Sequence, residues 1–253
     1  MNRYEKEYRQ LLANGAIAWA GEGYSRAKEQ QERVFSWLHL QHYFPQPGAP
    51  VLELGCGNGA MAAQYFAERG YSVWGVDWSA TAIRWAENRF QQAGLVAQFF
   101  VGDVCHIHQC QDATFELIVD GSCVHCLIDD ARHLCFAEVR RLLRPGGRFV
   151  IGSMCGTPRH PEDMAAYDPI RHHLLKEGQP WRTLRPLQAL LEEIGDEHFD
   201  VLEVNVNENP WWDHATVVCS VKYAPESRFM AVFEHASGGV KADIKVVRNF
   251  PQG

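Results

Sequence analysis

The 253-residue sequence predicts a three-layer, doubly wound α/β sheet, and three observations lead to this fold class. Short apolar runs alternate with segments of helical periodicity from Val51 onward, which implies parallel strands joined by right-handed crossovers. A glycine-rich loop directly follows the first apolar run, where such folds place a ligand-binding turn. The last two apolar runs are joined by a short segment without a helix, which predicts an antiparallel last strand.

The parallel part of the sheet is predicted from five apolar runs, which are "APVLEL", "YSVWGVD", "AQFFVGD", "FELIVDGS" and "RFVIGSM". A helix is predicted from Asn58 to Arg69, and Ser79 is a plausible N-cap for the next one. A further helix is predicted from about Asp129 to Leu143, with Leu134 among its inward residues and with "RPGG" ending it. Its acidic first turn and its arginine-rich last turn complement the helix dipole.

The flanking segments divide the chain into three predicted parts. Residues 1–48 form a helical lid or cap with a helix near 25–43, and residues 49–223 form the core, including the last hairpin. Residues 156–182, rich in proline, are predicted to be an insertion that covers the substrate. Residues 224–253 are an extension that either forms a hairpin around Ser-Gly-Gly or has little order.

The composition is that of an ordinary globular protein with a small-molecule partner. The net charge of −7 gives no long-range attraction to nucleic acid or to an anionic membrane. No apolar stretch is long enough to span a bilayer, and the first residues lack the apolar core of a signal peptide. We therefore expect a cytoplasmic monomer or homodimer whose eight cysteines are mostly reduced.

The glycine loop has the sequence Gly55-Cys56-Gly57-Asn58-Gly59, in which the third glycine comes one position earlier than in the dinucleotide fingerprint. An acidic residue, Glu53, lies in the strand two positions before the loop. No lysine or arginine occurs between Val51 and Glu68, so no nearby side chain matches a phosphate charge. The loop therefore favours a ligand that carries positive groups.

Two further carboxylates are predicted at the same edge of the sheet. Asp77 ends the second strand, 22 positions after Gly55, where a carboxylate can accept from both hydroxyls of a ribose. Asp103 ends the third strand. A nicotinamide dinucleotide remains possible because it shares the ribose, but an adenosine with an amine and a sulfonium fits several acceptors better than a pyrophosphate does.

Five motifs in register resemble the class I S-adenosylmethionine-dependent methyltransferases: "VLELGCGNG", "VWGVDWSATAIRWA", "FFVGDV", "FELIVDGSCVHCL" and "LRPGGRFVI". The resemblance covers Val51 to Ile151, with compatible strands as far as Tyr223. It implies a Rossmann-like sheet and S-adenosyl-L-methionine as the cofactor.

The resemblance also implies a role for each residue of the cofactor site. At the methionine end, Glu53 would steer the amino group, and the neighbouring residues would be Gly55, Cys56, Gly57, Asp120 and Gly121. At the adenosine end, Asp77 would bind the ribose hydroxyls and Trp78 would lie against the adenine. Asp103 would accept from the adenine amino group, and Val104 would offer its backbone N–H to the ring.

Candidate catalytic residues follow the fourth strand and precede the first. Ser122 and His125 are the nearest groups able to hydrogen-bond or act as a base, although His125 is equally suited to cap or pack beneath the next helix. Tyr24 follows two glycines in "AWAGEGY" and would fold over the cofactor as a lid. Cys123 and Cys126 form a single C-x-x-C, which lacks the doubled spacing of a structural zinc site, so no metal is predicted.

The leading functional hypothesis is a transferase that methylates a small amine, carboxylate or other metabolite by direct displacement. Three alternatives remain open: transfer or cyclisation of the aminocarboxypropyl arm with release of methylthioadenosine, a nicotinamide-dependent oxidoreductase, and a non-catalytic cofactor-binding subunit. Nucleic-acid methylation is disfavoured because the fourth strand ends in "DGSC" and not in an N/D-P-P-Y/F motif. Trp211 and Trp212, in the loop of the last hairpin, are candidates for the acceptor pocket.

Overall fold

A computed structural model describes residues 3–19, 21–222 and 246–249. Its centre is an eight-stranded sheet with the order β11-β9-β10-β5-β4-β1-β2-β3. The strands are β1 (Pro50–Leu54), β2 (Ser72–Asp77), β3 (Gln98–Val101), β4 (Phe115–Asp120), β5 (Leu143–Cys155), β6 (Tyr167–Asp168), β7 (His173–Lys176), β8 (Gln179–Thr183), β9 (Phe199–Asn207), β10 (Asp213–Val221) and β11 (Val246–Asn249). The helices are α1 (Arg3–Ala13), α2 (Tyr24–Leu40), α3 (Ala62–Ala67), α4 (Ala80–Ala93), α5 (Asp130–Leu142), α6 (Pro161–Ala165) and α7 (Leu187–Asp196).

The predicted three-layer α/β fold is confirmed. Strands β1 to β5 pair in parallel, β10 runs antiparallel to β5, and β9 runs antiparallel to β10. On one face, Phe136 of α5 and Ile194 of α7 pack against the sheet. On the other face lie buried residues of α2, α3 and α4, among them Leu38, Phe66 and Phe90. Both faces are covered, which is why the strands read as continuous apolar runs.

Three local expectations were wrong. Helix α3 begins at Ala62 and not at Asn58, because the glycine loop holds a left-handed backbone as far as Gly59. "RPGG" lies inside β5, where Pro145 cannot continue the helix and the register with β4 shifts. Leu134 is 40% exposed and does not belong to the buried face of α5. The N-cap prediction is confirmed, since the Ala82 N–H donates to Ser79 Oγ over 3.1 Å.

The predicted insertion contains α6 and a separate three-stranded antiparallel sheet of β6, β7 and β8. Its core consists of Met154, Leu174 and Leu184. The Thr183 hydroxyl donates to the Leu127 carbonyl over 2.8 Å, which fixes the end of β8 beside the segment that follows β4. The insertion is therefore held over the carboxyl ends of the parallel strands.

The first helix and the last strand are both joined to the core of the fold by hydrogen bonds. Helix α1 lies against α4 through hydrogen bonds from Ser79 and Thr81 to Glu5. Strand β11 pairs in parallel with β9, whereas the Ser-Gly-Gly segment of the extension lies outside the described residues. No helix of the described residues combines the length and apolar character needed to cross a bilayer. All eight cysteines are free thiols.

Candidate cofactor and acceptor site

A cavity of about 320 Å³ opens at the carboxyl ends of β1, β2 and β4. Every residue predicted for the site lines this cavity except Asp120: Tyr24, Glu53, Gly55, Cys56, Gly57, Asp77, Trp78, Asp103, Val104, Gly121, Ser122 and His125. The sequence thus located the floor of the cavity correctly. Its roof comes from α1, the segment after it and β8, which the motifs do not include.

The glycine loop lies against two side chains that leave no room for larger residues. Gly55 and Gly57 have φ values of 66° and 54°, in the region that favours glycine. A Cβ added to Gly55 would lie 2.6 Å from Cys123 Cβ, and one added to Gly57 would lie 2.6 Å from the Tyr8 hydroxyl oxygen. Both the backbone conformation and these close contacts therefore require glycine at the two positions.

Asp77 is held rigidly at the end of β2. Its Oδ2 accepts from the Gly57 N–H over 3.0 Å and its Oδ1 accepts from the Ser79 N–H over 2.8 Å. Burial raises its pKa, which these backbone donors oppose. Each oxygen keeps a lone pair for a further donor. The carboxylate is thus oriented to accept hydroxyl groups from a ligand.

The adenosine end of the predicted site is more open. Trp78 is 57% exposed at the rim of the cavity, and Val104 is buried in its wall. Asp103 Oδ1 accepts from the Cys105 N–H over 2.9 Å, which orients that carboxylate beside Val104. These residues form an aromatic and carboxylate-bearing slot, as the sequence predicted.

Glu53 is a buried carboxyl group in the floor of the cavity. Its Oε2 accepts from the Ala63 N–H over 2.7 Å. Burial outweighs the backbone donors of α3 and raises the pKa of Glu53 to about 8. A cationic ligand group beside it would favour the ionised form and lower that pKa.

Helix α1 supplies cavity residues that the sequence reasoning missed. Tyr4 and Tyr8 are one helical turn apart, and both line the cavity. Trp19 packs on both rings, with centroid distances of 5.9 Å and 4.9 Å. Two tyrosines four positions apart in "RYEKEYRQ" indicate an aromatic face on this helix. The spacing does not identify the part of the protein against which that face packs.

A second cavity, of about 230 Å³, adjoins the first between α2 and the ends of β4, β5 and β10. The two cavities share four lining residues: Ala27, Gln31, Met61 and Ser122. Asp120 and His214 line only the second cavity, as does Trp211, whose ring lies 5.3 Å from the Arg26 guanidinium. The predicted pocket role of Trp211 agrees with this position, whereas Trp212 packs on the core of the insertion.

Asp120 carries one oxygen without a hydrogen-bond partner. Its Oδ1 accepts from the N–H groups of Cys123 and Val124, over 2.6 and 3.0 Å. Its Oδ2 is buried and makes no hydrogen bond to any described residue, and the side chain is 4% exposed. Burial raises its pKa to about 7. Asp120 therefore lines the second cavity with a carboxyl group of raised pKa, whereas the resemblance implied a place at the methionine end of the cofactor.

The three predicted catalytic residues lie around the junction of the cavities. Ser122 has a φ of 64° and lines both of them. His125 is buried in a 3-10 turn with Nδ1 unpartnered, and burial, followed by the charge of Arg182, lowers its pKa well below the usual value. The Tyr24 hydroxyl donates to the Ala60 carbonyl over 3.3 Å, so Tyr24 closes the side of the cavity near α3.

Comparison with known proteins identifies the domain that holds these cavities. The family model described as "Methyltransferase domain" matches residues 51–147, which contain the glycine loop and the carboxylates of the floor. Residues 51–147 therefore form a methyltransferase domain of the class I S-adenosylmethionine-dependent type. Across the family, these proteins use S-adenosylmethionine as the methyl donor.

The relatives within the family act on different molecules. The O-methyltransferase resE of Aspergillus sclerotiorum is 28% identical over 168 residues, which cover 64% of this chain and 60% of that protein. Phosphoethanolamine N-methyltransferase 1 of Zea mays is 28% identical over 202 residues, which cover 78% of this chain and 37% of the maize protein. The chain therefore spans less than two thirds of the length of these curated relatives.

A solved structure supports the fold of the methyltransferase domain. The 1,6-didemethyltoxoflavin-N1-methyltransferase of Burkholderia thailandensis, solved with S-adenosylhomocysteine, superposes with a TM-score of 0.63 at 21% identity. The match covers 87% of this chain and 89% of that one. The likeness supports a Rossmann-like fold for this chain.

The residues of the first cavity fit S-adenosylmethionine. A bare glycine backbone, three carboxyl groups and an aromatic rim match a ligand that carries an ammonium, a sulfonium, a ribose and an adenine. Glu53 would hold the ammonium, Asp77 the ribose hydroxyls and Asp103 the adenine amino group. Only one cation, Arg182, lines the cavity among the described residues.

Proposed function

We propose that the protein transfers a methyl group from S-adenosylmethionine, held in the first cavity, to a small molecule held in the second. The observation that carries this proposal is the adjoining pair of cavities, which share Ser122 and differ in chemistry. The first presents carboxylates and glycine backbone. The second presents Asp120 and His214, the Arg26 guanidinium, amide side chains and aromatic and aliphatic side chains, which suit a small acceptor with polar groups.

The protein itself need not form a covalent bond with the methyl group, because the cofactor supplies that group in an activated form. The residues of the second cavity orient the acceptor and exclude water from it. The carboxylate of Asp120, which lines this cavity, accepts a hydrogen bond from the N–H or O–H of the acceptor and takes its proton, since a carboxylate with a pKa of about 7 is matched to neutral pH.

His125 and His214 contribute as neutral groups. Their rings lie 6.5 Å apart between centroids, and burial lowers the pKa of His214 to about 4. Two uncharged imidazoles beside the transfer path do not repel a sulfonium. Ser122, at the junction of the cavities, offers a hydroxyl that can reach either ligand.

The experiment has two steps. Calorimetry should show that S-adenosylhomocysteine binds to the wild-type protein, and that Asp77→Ala abolishes this binding while circular dichroism shows a folded chain. A screen of amines, thiols, carboxylates and phenols with S-adenosylmethionine should then give an acceptor heavier by one methylene unit, together with S-adenosylhomocysteine.

The products discriminate between the proposal and its alternatives. Methylthioadenosine in place of S-adenosylhomocysteine would indicate attack through the aminocarboxypropyl arm and would refute methyl transfer. Binding without any turnover across the screen would favour a cofactor-binding subunit. Unchanged S-adenosylhomocysteine affinity in the Asp77 variant would contradict the assignment of the cavity itself.

A further inference from the structure

Arg182 is a buried cation without a carboxylate partner. The side chain is 7% exposed, at the end of β8, and it lines the first cavity. Its two hydrogen bonds both leave from Nη1, to the Tyr4 hydroxyl over 2.9 Å and to the Trp181 carbonyl over 3.0 Å. Both acceptors are neutral, so the guanidinium charge is not balanced by any residue that the structure describes.

A second buried arginine, Arg132, differs from Arg182 because it has a carboxylate partner. Arg132 is 2% exposed and forms a bidentate ion pair with Glu193, with both N–O distances at 2.7 Å. It also donates to the Val124 carbonyl over 2.7 Å. A guanidinium removed from water is costly unless it is paired. Arg132 meets this requirement within the chain, and Arg182 does not.

The guanidinium of Arg182 is nevertheless held in one place. It lies 4.4 Å from the centroid of the Trp181 ring and 5.9 Å from that of Tyr4. Arg3 lies on the same two rings, at 5.1 Å and 5.9 Å, so the cluster joins α1 to β8 across the cavity. Nε and Nη2 donate to no described residue, and both atoms keep some exposure to solvent. Two donors of a fixed fork therefore remain for a ligand.

The neighbours of Arg182 in the cavity neither share nor neutralise its positive charge. His125 is kept neutral and therefore adds no second cation. Tyr4 is hydrogen-bonded to Arg182, and burial, with Cys126 next, raises the pKa of its hydroxyl, so Tyr4 stays protonated and does not neutralise the guanidinium. The carboxyl groups Glu53, Asp77 and Asp103 accept hydrogen bonds from backbone N–H groups and form no ion pair with Arg182 within the described residues.

We propose that Arg182 is the anion-binding residue of the cavity and that it takes a carboxylate group through its Nε and Nη2 donors. This inference rests on the proposed function, because it assigns the ligand chemistry of the same cavity. Two sources can supply the carboxylate: the amino acid end of the cofactor, or an acidic acceptor that reaches from the second cavity into the first past the shared residue Ser122. A planar carboxylate matches the fork of a guanidinium in either case.

The test measures binding to the full chain, with S-adenosylhomocysteine and its decarboxylated analogue S-adenosyl-3-thiopropylamine as the first pair of probes. The variants are Arg182→Met, Arg182→Gln and Arg182→Lys. Arg171→Gln is a matched control, because Arg171 is exposed on the same insertion. Tyr4→Phe removes the neutral hydrogen-bond partner and keeps the cation. Thermal melting accompanies each variant, so that a loss of fold is recognised.

If the cofactor supplies the carboxylate, the wild-type protein prefers S-adenosylhomocysteine over the analogue by about tenfold or more, the effect of one hydrogen-bonded ion. The preference collapses in Arg182→Met and Arg182→Gln, is partly restored by Arg182→Lys, and survives in Tyr4→Phe and Arg171→Gln.

If the acceptor supplies it, that preference is the same in all variants, and the second pair of probes responds. Benzoate then binds to the protein saturated with S-adenosylhomocysteine more tightly than benzamide does, and Arg182→Met abolishes the difference.

The inference is overturned if folded Arg182→Met and Arg182→Gln keep both preferences, or if the wild-type protein shows neither. A failure of the proposed function is distinguishable from this result. In that case S-adenosylhomocysteine does not bind to the wild-type protein at all, whereas the comparison of benzoate with benzamide, made on the ligand-free protein, still tests Arg182.

Discussion

The docking of α1 over the cavity depends on one carboxylate, and its removal makes a quantitative prediction. Glu5 Oε2 accepts from the Ser79 hydroxyl over 2.7 Å and from the Thr81 N–H over 3.1 Å, and Oε1 accepts from the Thr81 hydroxyl over 2.7 Å. These donors begin α4, where the helix dipole also favours a negative charge. Burial opposes ionisation, but the hydrogen bonds outweigh it and hold the pKa of Glu5 at about 2.

Replacing Glu5 by Gln keeps the size of the side chain and removes its charge and one acceptor oxygen. Hydrogen bonds to a charged group contribute about 1.5–3 kcal/mol each, and the remaining amide oxygen retains part of that. We expect a net loss of about 2–3 kcal/mol in the docking free energy, so the undocked population of α1 rises about 30- to 150-fold. Binding of S-adenosylhomocysteine weakens, because Tyr4 and Tyr8 leave the roof.

Hydrogen exchange of the α1 amides measures this population directly. Glu7→Gln is the matched control, because the Arg3–Glu7 pair is exposed on the same helix and contributes about 0.5 kcal/mol or less. Equal protection of α1 in the two variants would refute the role of Glu5. The pH dependence has a definite sign: since folding lowers the pKa of Glu5, its contribution is full above the ordinary value of 4.5 and is lost as the pH falls towards 2.

Three further predictions concern the floor and the second cavity. Because the pKa of Glu53 is about 8, binding of S-adenosylhomocysteine at pH 7 should release a proton; calorimetry in buffers of different ionisation enthalpy detects this, and Glu53→Gln should abolish it. Gly121→Ala should lower the free energy of unfolding by about 1–3 kcal/mol in thermal melts, because the added Cβ would lie 2.8 Å from the Leu54 carbonyl oxygen. Gly23→Ala is the control and should be neutral, because a Cβ added there meets no atom within 4 Å. With an acceptor in hand, kcat/KM should rise with pH through about 7 in the wild-type protein, and Asp120→Asn should flatten that limb while S-adenosylhomocysteine affinity stays within about threefold.

The floor of the site was predictable because its residues are local to strands and turns. Glu53, Asp77 and Asp103 each lie at or near a strand end, and parallel strands bring those ends to one edge whatever else the chain does. The start of α3 was predicted too early, because the helical periodicity of the sequence continues through the glycine loop. The left-handed backbone of Gly59 prevents a helix from including that residue.

The roof was not predictable from motifs, since its contacts join distant parts of the chain. Tyr4 meets Arg182 across 178 positions, and Glu5 meets Ser79 across 74. No local pattern encodes such pairs. Asp120 is a different case. Its position at the end of β4 was predicted, but the orientation of its carboxylate depends on the hydrogen bond that Oδ1 accepts from the following turn, which leaves Oδ2 without a partner.

The distances in sequence between α1 and its partners have a consequence for biosynthesis. Helix α1 leaves the ribosome before the other described elements, yet its 11 residues are too few to form a stable helix alone in water. Its first anchor, at Ser79 and Thr81, follows 74 and 76 residues later, and Arg182 follows 178 positions after Tyr4. The nascent chain therefore contains the parallel strands β1 to β5 before it contains Arg182, so the roof of the ligand-binding cavity cannot close until the parallel part of the sheet has been made.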